Sequence, residues 1–183
     1  MRAWARTDSM PADQADRSHR LGEGSLRFPP PATSAGMNAV GLGVDLVHIP
    51  ALTEQLNSPG TRFGESFAAS ERRAARRRAA ETGLDEAHHL AARWAGKEAF
   101  IKAWSSVLVG RPPVVVPDKV DMAHIQIAGD AYGRPFVALT GDIAEAFAAS
   151  VPGATALVSL SHDGDYAIAI CQIVHLDGGH VAS

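Results

Sequence analysis

Residues 93–103, Arg-Trp-Ala-Gly-Lys-Glu-Ala-Phe-Ile-Lys-Ala, place four charged side chains in an otherwise apolar stretch. From Glu86 to Trp104 the chain lacks proline and is rich in Ala and Leu, which predicts a long helix. At about 100° per residue, Glu98 falls among apolar positions, so its carboxylate is expected to face the apolar stripe. An unpaired ionised carboxylate there costs roughly several kcal/mol. Glu98 must therefore be paired, protonated or bound to a metal ion.

The lysines of this segment allow two interpretations. Glu98 and Lys102 are four residues apart, which is the spacing of an ordinary ion pair on a helix surface. The chain contains only three lysines, however, and Lys97 and Lys102 are two of them. A compact ammonium suits a phosphate or proton-transfer role better than a planar guanidinium does. Lysine usage therefore favours a role in chemistry, while the ion pair stays open.

Asp45 is a second carboxylate within an apolar element. Val40 to Ile49 alternates as a β-strand that Pro50 ends. Both faces of this strand are largely apolar, so we expect it to be interior. Gly41 and Gly43 leave room for another group to approach the backbone beside Asp45. The two glycines alone do not indicate a nucleotide site, because no glycine-rich turn into a helix follows.

The remaining pattern predicts an α+β fold, an antiparallel sheet with helices packed on it. Ser70 is predicted to cap one helix, and an Asp-Gly turn in 162–165 is predicted to join the last two strands. The predicted shorter helices are 51–56, 71–80 and 142–150, and the later strands are 123–128, 135–139, 155–160 and 166–173.

Length, charge and cysteine content limit the classes of protein to which this chain can belong. With 183 residues and 46% apolar content the chain can form one well-packed domain. With a net charge of −3, the chain lacks the excess of basic residues that is typical of nucleic-acid-binding proteins. No apolar run is long enough to span a membrane. The single cysteine, Cys171, fits a reducing, cytoplasmic compartment. Residues 1–36 are predicted to be a disordered extension without a secretory signal, 37–174 the domain, and 175–183 a tail.

Two further groups of side chains have both a structural and a functional interpretation. Five arginines of the predicted 71–80 helix form either a solvated face or a docking surface for an acidic partner. They are Arg72, Arg73, Arg76, Arg77 and Arg78. His162 and Asp163 lie at the predicted hairpin turn, where turn chemistry alone accounts for Asp163. Neither residue carries a functional assignment by itself.

Three segments, 41–47, 93–103 and 159–163, resemble in order and spacing those of the holo-[acyl-carrier-protein] synthases, the small phosphopantetheinyl transferases. The resemblance implies their 4′-phosphopantetheinyl transferase-like fold. It also implies transfer of the 4′-phosphopantetheine of coenzyme A to a serine of apo acyl carrier protein, releasing adenosine 3′,5′-bisphosphate, in support of fatty acid biosynthesis. A homotrimer with active sites between subunits is expected on the same basis.

The resemblance also implies roles for individual residues. Asp45 and Glu98 would hold Mg²⁺, whose preferred ligands are oxygens, and Lys102 would stabilise charge at the breaking bond. A metal-associated water, Glu98 and His162 all stay open as the group that takes the serine proton. The implied catalytic residues are Asp45, Glu98, Lys102 and His162. The implied coenzyme-binding residues are Arg93, Lys97, Lys102, Arg134, Pro135, His162 and Asp163, and Arg72, Arg73 and Arg76 become contacts for the carrier protein.

Two other functions compete with this one. The first is a non-catalytic module that binds coenzyme A or a carrier protein; the presence of both Asp45 and Glu98 argues against it, because a binder needs no metal carboxylates. The second is a transferase that serves polyketide or peptide synthases. Such enzymes are typically twice as long, as two fused copies of this unit, and no internal repeat is visible in this sequence.

Overall fold

The computed structural model describes residues 41–175, which form a mixed helix and antiparallel-sheet fold and confirm the predicted α+β class. The strands are β1 (Gly41–His48), β2 (Ile125–Gly129), β3 (Pro135–Leu139), β4 (Ala154–Asp163) and β5 (Tyr166–His175). The helices are α1 (Ile49–Asn57), α2 (Ala69–Thr82), α3 (Glu86–Val107) and α4 (Gly141–Ser150). The predicted extension and tail lie outside the described residues, except that His175 ends β5.

A three-stranded antiparallel sheet in the order β1–β5–β4 packs against α3, and β2 and β3 form a separate hairpin. The long helix predicted at 86–104 is confirmed and extends to Val107. Its buried residues, among them Ala95, Ala99 and Phe100, form the centre of the core with the inward side chains of β5. Within residues 41–175 no helix is both long and apolar enough to cross a membrane.

The prediction that β1 is an interior strand is wrong. Among residues 41–175 it is an edge strand that pairs with β5 alone, and its Leu42, Val44 and Leu46 face is exposed. The opposite face packs on α3, because Gly41 and Gly43 allow the helix backbone to come close. A Cβ at Gly43 would lie 3.0 Å or less from atoms of three helix residues, the nearest being backbone. The room that the glycines leave beside Asp45 is filled by α3.

Three local predictions need correction. Helix α2 begins at Ala69 after an N-cap at Ala68, not at Ser70, because the Glu71 carboxylate reaches back to accept a hydrogen bond from Ala68 N at 2.9 Å. The last hairpin has a two-residue turn at 164–165, where Gly164 has a φ of +52°. His162 and Asp163 therefore end strand β4 rather than form the turn. Residues 122–124 form a 3₁₀ turn, so β2 begins only at Ile125.

Candidate active site

Three of the predicted catalytic side chains meet where β1 crosses α3. The Lys102 ammonium donates hydrogen bonds to Asp45 Oδ1 at 2.7 Å and to the Val44 carbonyl at 3.1 Å. Glu98 lies one turn earlier on the same helix and is half-buried. The close approach at Gly43 brings the strand and the helix near enough for these contacts. Within residues 41–175, Lys102 forms its ion pair with Asp45, so the alternative surface pair with Glu98 is not formed.

The Glu98 carboxyl is in an environment that resists ionisation. Burial raises its pKa above the ordinary value, and the nearby negative charge of Asp45 raises it further, whereas Lys102 acts in the opposite direction. Asp45 is itself sheltered, with 14% of its side chain exposed. Two carboxylates that repel each other are stabilised when a cation lies between them. The electrostatics therefore indicate a site suited to positive charge.

The carboxylates at this site are of the type that a magnesium ion prefers. Mg²⁺ is commonly held by one or two carboxylates, with water and substrate phosphate completing its shell. Asp45 and Glu98 supply that number and type of ligand, so the residues present fit the ion. Among residues 41–175, no group of three or more His, Cys, Asp or Glu side chains is arranged to hold a metal. The remaining ligands would have to come from water and substrate.

His162 does not join this group within one chain. Asp45 is opposite Ala169 on β5, which is opposite Leu160 on β4, and His162 lies two residues further along. Two strand spacings separate β1 from β4, or about 10 Å. His162 and Asp163 instead line an exposed groove of about 330 Å³. The other residues lining this groove are Leu46, Ser161, Tyr166 and Ile168.

Arg93 and Pro135 lie together at a second pocket, of about 220 Å³, between α3 and the β2–β3 hairpin. The hairpin contributes Ile127, Ala128, Gly129, Gly133 and Pro135, and β4 contributes Leu160. The Arg93 Nη1 donates to the His89 carbonyl at 2.8 Å, while its buried Nε has no hydrogen-bond partner among residues 41–175. Burial lowers the pKa of Arg93, although a guanidinium stays charged at neutral pH. The pocket is therefore lined by a positively charged group.

Arg134 is at the tip of the hairpin, outside that pocket. Its Nε donates to Asp130 Oδ2 at 2.6 Å, and its guanidinium lies 5.0 Å from the centre of the Tyr132 ring. Hydrogen bonds from the hairpin backbone and from Arg134 hold the pKa of Asp130 below its usual range. Arg134 is exposed, so these contacts leave it accessible from solvent.

Lys97 is not accessible to a coenzyme, contrary to its implied role in coenzyme binding. Its side chain is completely buried and pairs with Glu71 at 2.7 Å. Lys97 is on the side of α3 that faces α2 and β2, because neighbouring helix positions point about 100° apart. Nothing in the sequence indicates a functional role for Glu71. Its place three residues after Ala68 gives only a capping signal, and nothing in the sequence pairs it with Lys97.

The arginines of α2 are mostly exposed, and several form ion pairs at the surface. Arg78 lies 3.0 Å from Glu81, and Arg76 lies 3.7 Å from Glu86. Arg72 is half-buried and donates to the Gly64 carbonyl at 3.3 Å. Exposed pairs of this kind contribute little to stability, about 0–1 kcal/mol each. The face therefore keeps most of its positive charge available to a partner.

Comparison with known proteins identifies the family. Residues 41–171 match the family model of the 4′-phosphopantetheinyl transferase superfamily. The holo-[acyl-carrier-protein] synthase of Corynebacterium efficiens is 46% identical over 134 residues, covering 73% of this chain and 93% of the relative. That of Mycobacterium tuberculosis (strain ATCC 25177 / H37Ra) is also 46% identical over 134 residues, covering 73% of this chain and 95% of the relative.

A solved structure gives the same result. The ACPS–CoA complex of Chronobacterium ammoniagenes aligns with a TM-score of 0.69 at 45% identity, covering 76% of this chain and 99% of that chain. The predicted phosphopantetheinyl transferase-like fold is therefore confirmed. The chain belongs to the 4′-phosphopantetheinyl transferase superfamily and, within it, to the holo-[acyl-carrier-protein] synthases.

Proposed function

We propose that this protein transfers the 4′-phosphopantetheine arm of coenzyme A to a serine hydroxyl of apo acyl carrier protein, leaving adenosine 3′,5′-bisphosphate. The observation that carries the proposal is the meeting of Asp45, Glu98 and Lys102 where β1 crosses α3. A pyrophosphate substrate needs its negative charge neutralised while one phosphorus–oxygen bond breaks and another forms. Two carboxylates for a divalent cation, with an adjacent ammonium, supply such a place. The product would support fatty acid biosynthesis in the cytoplasm.

Asp45 and Glu98 are the proposed Mg²⁺ ligands. When bound, the ion would supply Lewis-acid polarisation of the phosphates and charge neutralisation. The carboxylates themselves must be ionised to bind it. Burial raises the Glu98 pKa and so disfavours its charged form, whereas a bound cation would favour that form. Replacing either carboxylate by its amide, Asp45→Asn or Glu98→Gln, should abolish Mn²⁺ binding measured by electron paramagnetic resonance. Unchanged binding in both variants would contradict the assignment.

Lys102 is the proposed electrostatic catalyst. Its side chain is 43% exposed and its ammonium is hydrogen-bonded to Asp45, so it can approach a phosphate without leaving the protein surface. Positive charge aimed at oxygens that gain negative charge lowers the barrier to transfer.

The serine proton has two candidate acceptors in this chain. Glu98 has a raised pKa, which suits a general base, and His162 is exposed at the end of β4.

The pocket between α3 and the β2–β3 hairpin is the proposed coenzyme site outside the reacting centre. Arg93 brings a positive charge to this pocket, which suits an anionic group such as a coenzyme phosphate. Pro135 contributes the hairpin side of the pocket, and Arg134, at the hairpin tip outside it, is proposed to contact the coenzyme from solvent. His162 and Asp163 are the proposed contacts in the groove on β4.

We propose a homotrimer in which neighbouring subunits complete each active site. The outer face of the sheet exposes Leu42, Val44 and Leu46 of β1 beside Ile168 and Ile170 of β5. A contiguous apolar face of this kind is a typical protein–protein interface. The separation of His162 from Asp45 within one chain is explained if His162 of one subunit serves the carboxylates of the next. Mixing the inactive variants Glu98→Gln and His162→Ala should then restore part of the activity.

The α2 arginines are the proposed contact surface for the carrier protein. Arg73, Arg76 and Arg77 are exposed on one helix, and a patch of one sign attracts an oppositely charged partner. Acidic carrier proteins would be attracted to this patch. The ion pairs of Arg76 and Arg77 are long and exposed, at 3.7 and 3.8 Å. Replacing their acidic partners in this chain by acidic groups of a carrier protein therefore costs little free energy.

The function is tested by incubating the purified protein with apo acyl carrier protein, coenzyme A and Mg²⁺ and measuring the intact mass of the carrier. Gain of one phosphopantetheine, lost when EDTA is present, is the expected result. Repeating the assay with carrier domains of polyketide and peptide synthases separates the two transferase functions. Binding of coenzyme A without transfer to any carrier would instead support the non-catalytic module.

A further inference from the structure

A fully buried ion pair connects α2, α3 and the start of β2, and two of these elements, α3 and β2, line the proposed coenzyme pocket. The Lys97 ammonium donates to Glu71 Oε2 at 2.7 Å, to the Met122 carbonyl at 2.8 Å and to the Ile125 carbonyl at 2.5 Å. These three bonds use all three of its hydrogen-bond donors. The pair thus ties α3 to α2 and to the start of β2.

Glu71 completes the network from the other side. Its Oε2 also accepts from Ala68 N, and its Oε1 accepts from Ile127 N at 2.9 Å. The peptide groups on both sides of Gln126 are therefore held, the Ile125 carbonyl by Lys97 and the Ile127 amide by Glu71. No strand of the three-stranded sheet is hydrogen-bonded to this hairpin within residues 41–175. The ion pair therefore attaches the hairpin to α3 and α2 by polar contacts, whereas the three-stranded sheet makes no hydrogen-bonded ladder with it within residues 41–175.

The helix and the hairpin are also packed unusually close at the same place. A Cβ at Gly96 would lie 2.8 Å from Ile127 Cγ1, so glycine is what lets β2 approach the helix here. Ile127 lines the pocket together with Arg93, which precedes Lys97 by about one helical turn. The width of the pocket is therefore set by where the Lys97–Glu71 pair and Gly96 hold β2.

Stability alone is a weak explanation for such a pair. The desolvation cost of a buried ion pair cancels much of its attraction, and apolar replacements are often neutral or stabilising. Burial lowers the pKa of Lys97, while Glu71 raises it. A pair of this kind is better explained by what its hydrogen bonds fix in place. Here the fixed atoms belong to the backbone of the strand that forms one wall of the pocket.

We propose that Lys97 and Glu71 are positioning residues for the coenzyme pocket: their buried ion pair fixes the β2–β3 hairpin against α3 and so sets the affinity for coenzyme A. The proposal rests on the proposed function, because it takes the pocket at Arg93 as the coenzyme site. Neither side chain touches the substrate. Their removal should weaken coenzyme binding while leaving the reacting group of Asp45, Glu98 and Lys102 in place.

The test uses Lys97→Met and Gly96→Ala in the full-length protein. The first removes the ammonium, and the second leaves every charge intact but pushes on Ile127. Both should raise the KM for coenzyme A by about tenfold or more, change kcat by less than about threefold, and leave the KM for the carrier protein unchanged. In hydrogen exchange of the free protein, the backbone amides of the β2–β3 hairpin should lose protection while those of β4 and β5 keep it.

Two controls separate positioning from stability. Ser70→Ala removes an exposed hydrogen bond between the same elements, from Ser70 Oγ to Gln126 Oε1 at 2.9 Å, and should leave KM unchanged. Leu52→Ala makes a cavity under α1, away from the hairpin, and should lower the melting temperature without raising KM. An equal loss of activity in Lys97→Met and Leu52→Ala, with no selective rise in KM, overturns the proposal.

The outcomes also separate this inference from the proposed function. If hairpin protection is lost but the KM for coenzyme A is unchanged, the pair attaches the hairpin without serving the coenzyme, and the proposal is wrong although transfer stands. If hairpin protection is unchanged, the proposal is wrong at its first step. If the wild-type protein transfers nothing, the proposed function fails, and hydrogen exchange still reports whether the pair holds the hairpin.

Discussion

Gly43→Ala tests whether the close contact between β1 and α3 builds the active site. The new methyl group would lie 3.0 Å or less from the Ala99 carbonyl oxygen, the Ala103 nitrogen and Lys102 Cβ. Two of these are backbone atoms of a buried helix, so they cannot rotate away as a flexible side chain would. The strand and the helix must therefore separate, and on the order of 1 Å is needed to restore ordinary contact distances.

That displacement has a calculable effect on the site. Asp45 is two residues along the same strand, and its bond to Lys102 is 2.7 Å long. Adding about 1 Å takes the distance to about 3.7 Å, which is beyond a hydrogen bond. Misplacement of catalytic groups by about 1 Å can reduce the rate by about a hundredfold. Overpacking itself costs about 1–3 kcal/mol, which lowers the melting temperature by about 4–12 °C at roughly 4 °C per kcal/mol.

The assay compares Gly43→Ala with Gly64→Ala by transfer rate and thermal unfolding. Gly64 is the matched control, because nothing lies within 4 Å of a Cβ built there and its φ is not positive. We expect about a hundredfold loss of kcat/KM in the first variant and almost none in the second. Wild-type stability and activity in Gly43→Ala would refute the conclusion that strand–helix contact positions Asp45.

Three further predictions follow from other parts of the structure. Burial, with Arg93 and Arg78 nearby, lowers the pKa of His89 below 6.5. As pH falls, His89 is therefore protonated in the unfolded chain at a higher pH than in the folded protein, which destabilises the fold. The melting temperature should drop less between about pH 7 and pH 5 in His89→Gln than in the wild type, and equal drops would contradict this. Val44→Lys places a charge on the exposed apolar face and should give monomers in light scattering with lost activity; intact trimers would contradict the proposed interface. Arg73→Glu should raise the KM for acyl carrier protein about tenfold or more without changing that for coenzyme A, and an unchanged KM for the carrier would exclude this face.

The long helix could be predicted because nineteen residues without proline, rich in Ala and Leu, favour one structure strongly. The half-burial of Glu98 also agrees with its predicted place in the apolar stripe. These features depend on local pattern and helix periodicity. They can therefore be predicted without knowledge of the tertiary structure.

The features that could not be predicted depend on which surface each element meets. The apolar alternation of β1 is the same in an interior strand and in an edge strand with an exposed apolar face, so the sequence does not show that Leu42 and Val44 are exposed. Lys97 and Lys102 look alike in sequence, yet one is completely buried and the other is 43% exposed. The partner of Lys97 is 26 residues away. No local spacing rule connects residues at that separation.

The transfer reaction is tested best by the intact mass of acyl carrier protein after incubation with coenzyme A and either the wild-type protein or Glu98→Gln, across a series of Mg²⁺ concentrations. We expect complete conversion to the phosphopantetheinylated carrier by the wild type, dependent on Mg²⁺, and none by Glu98→Gln at any concentration, although both proteins melt at similar temperatures. Conversion by Glu98→Gln at the wild-type rate, or wild-type conversion that persists in EDTA, would contradict it.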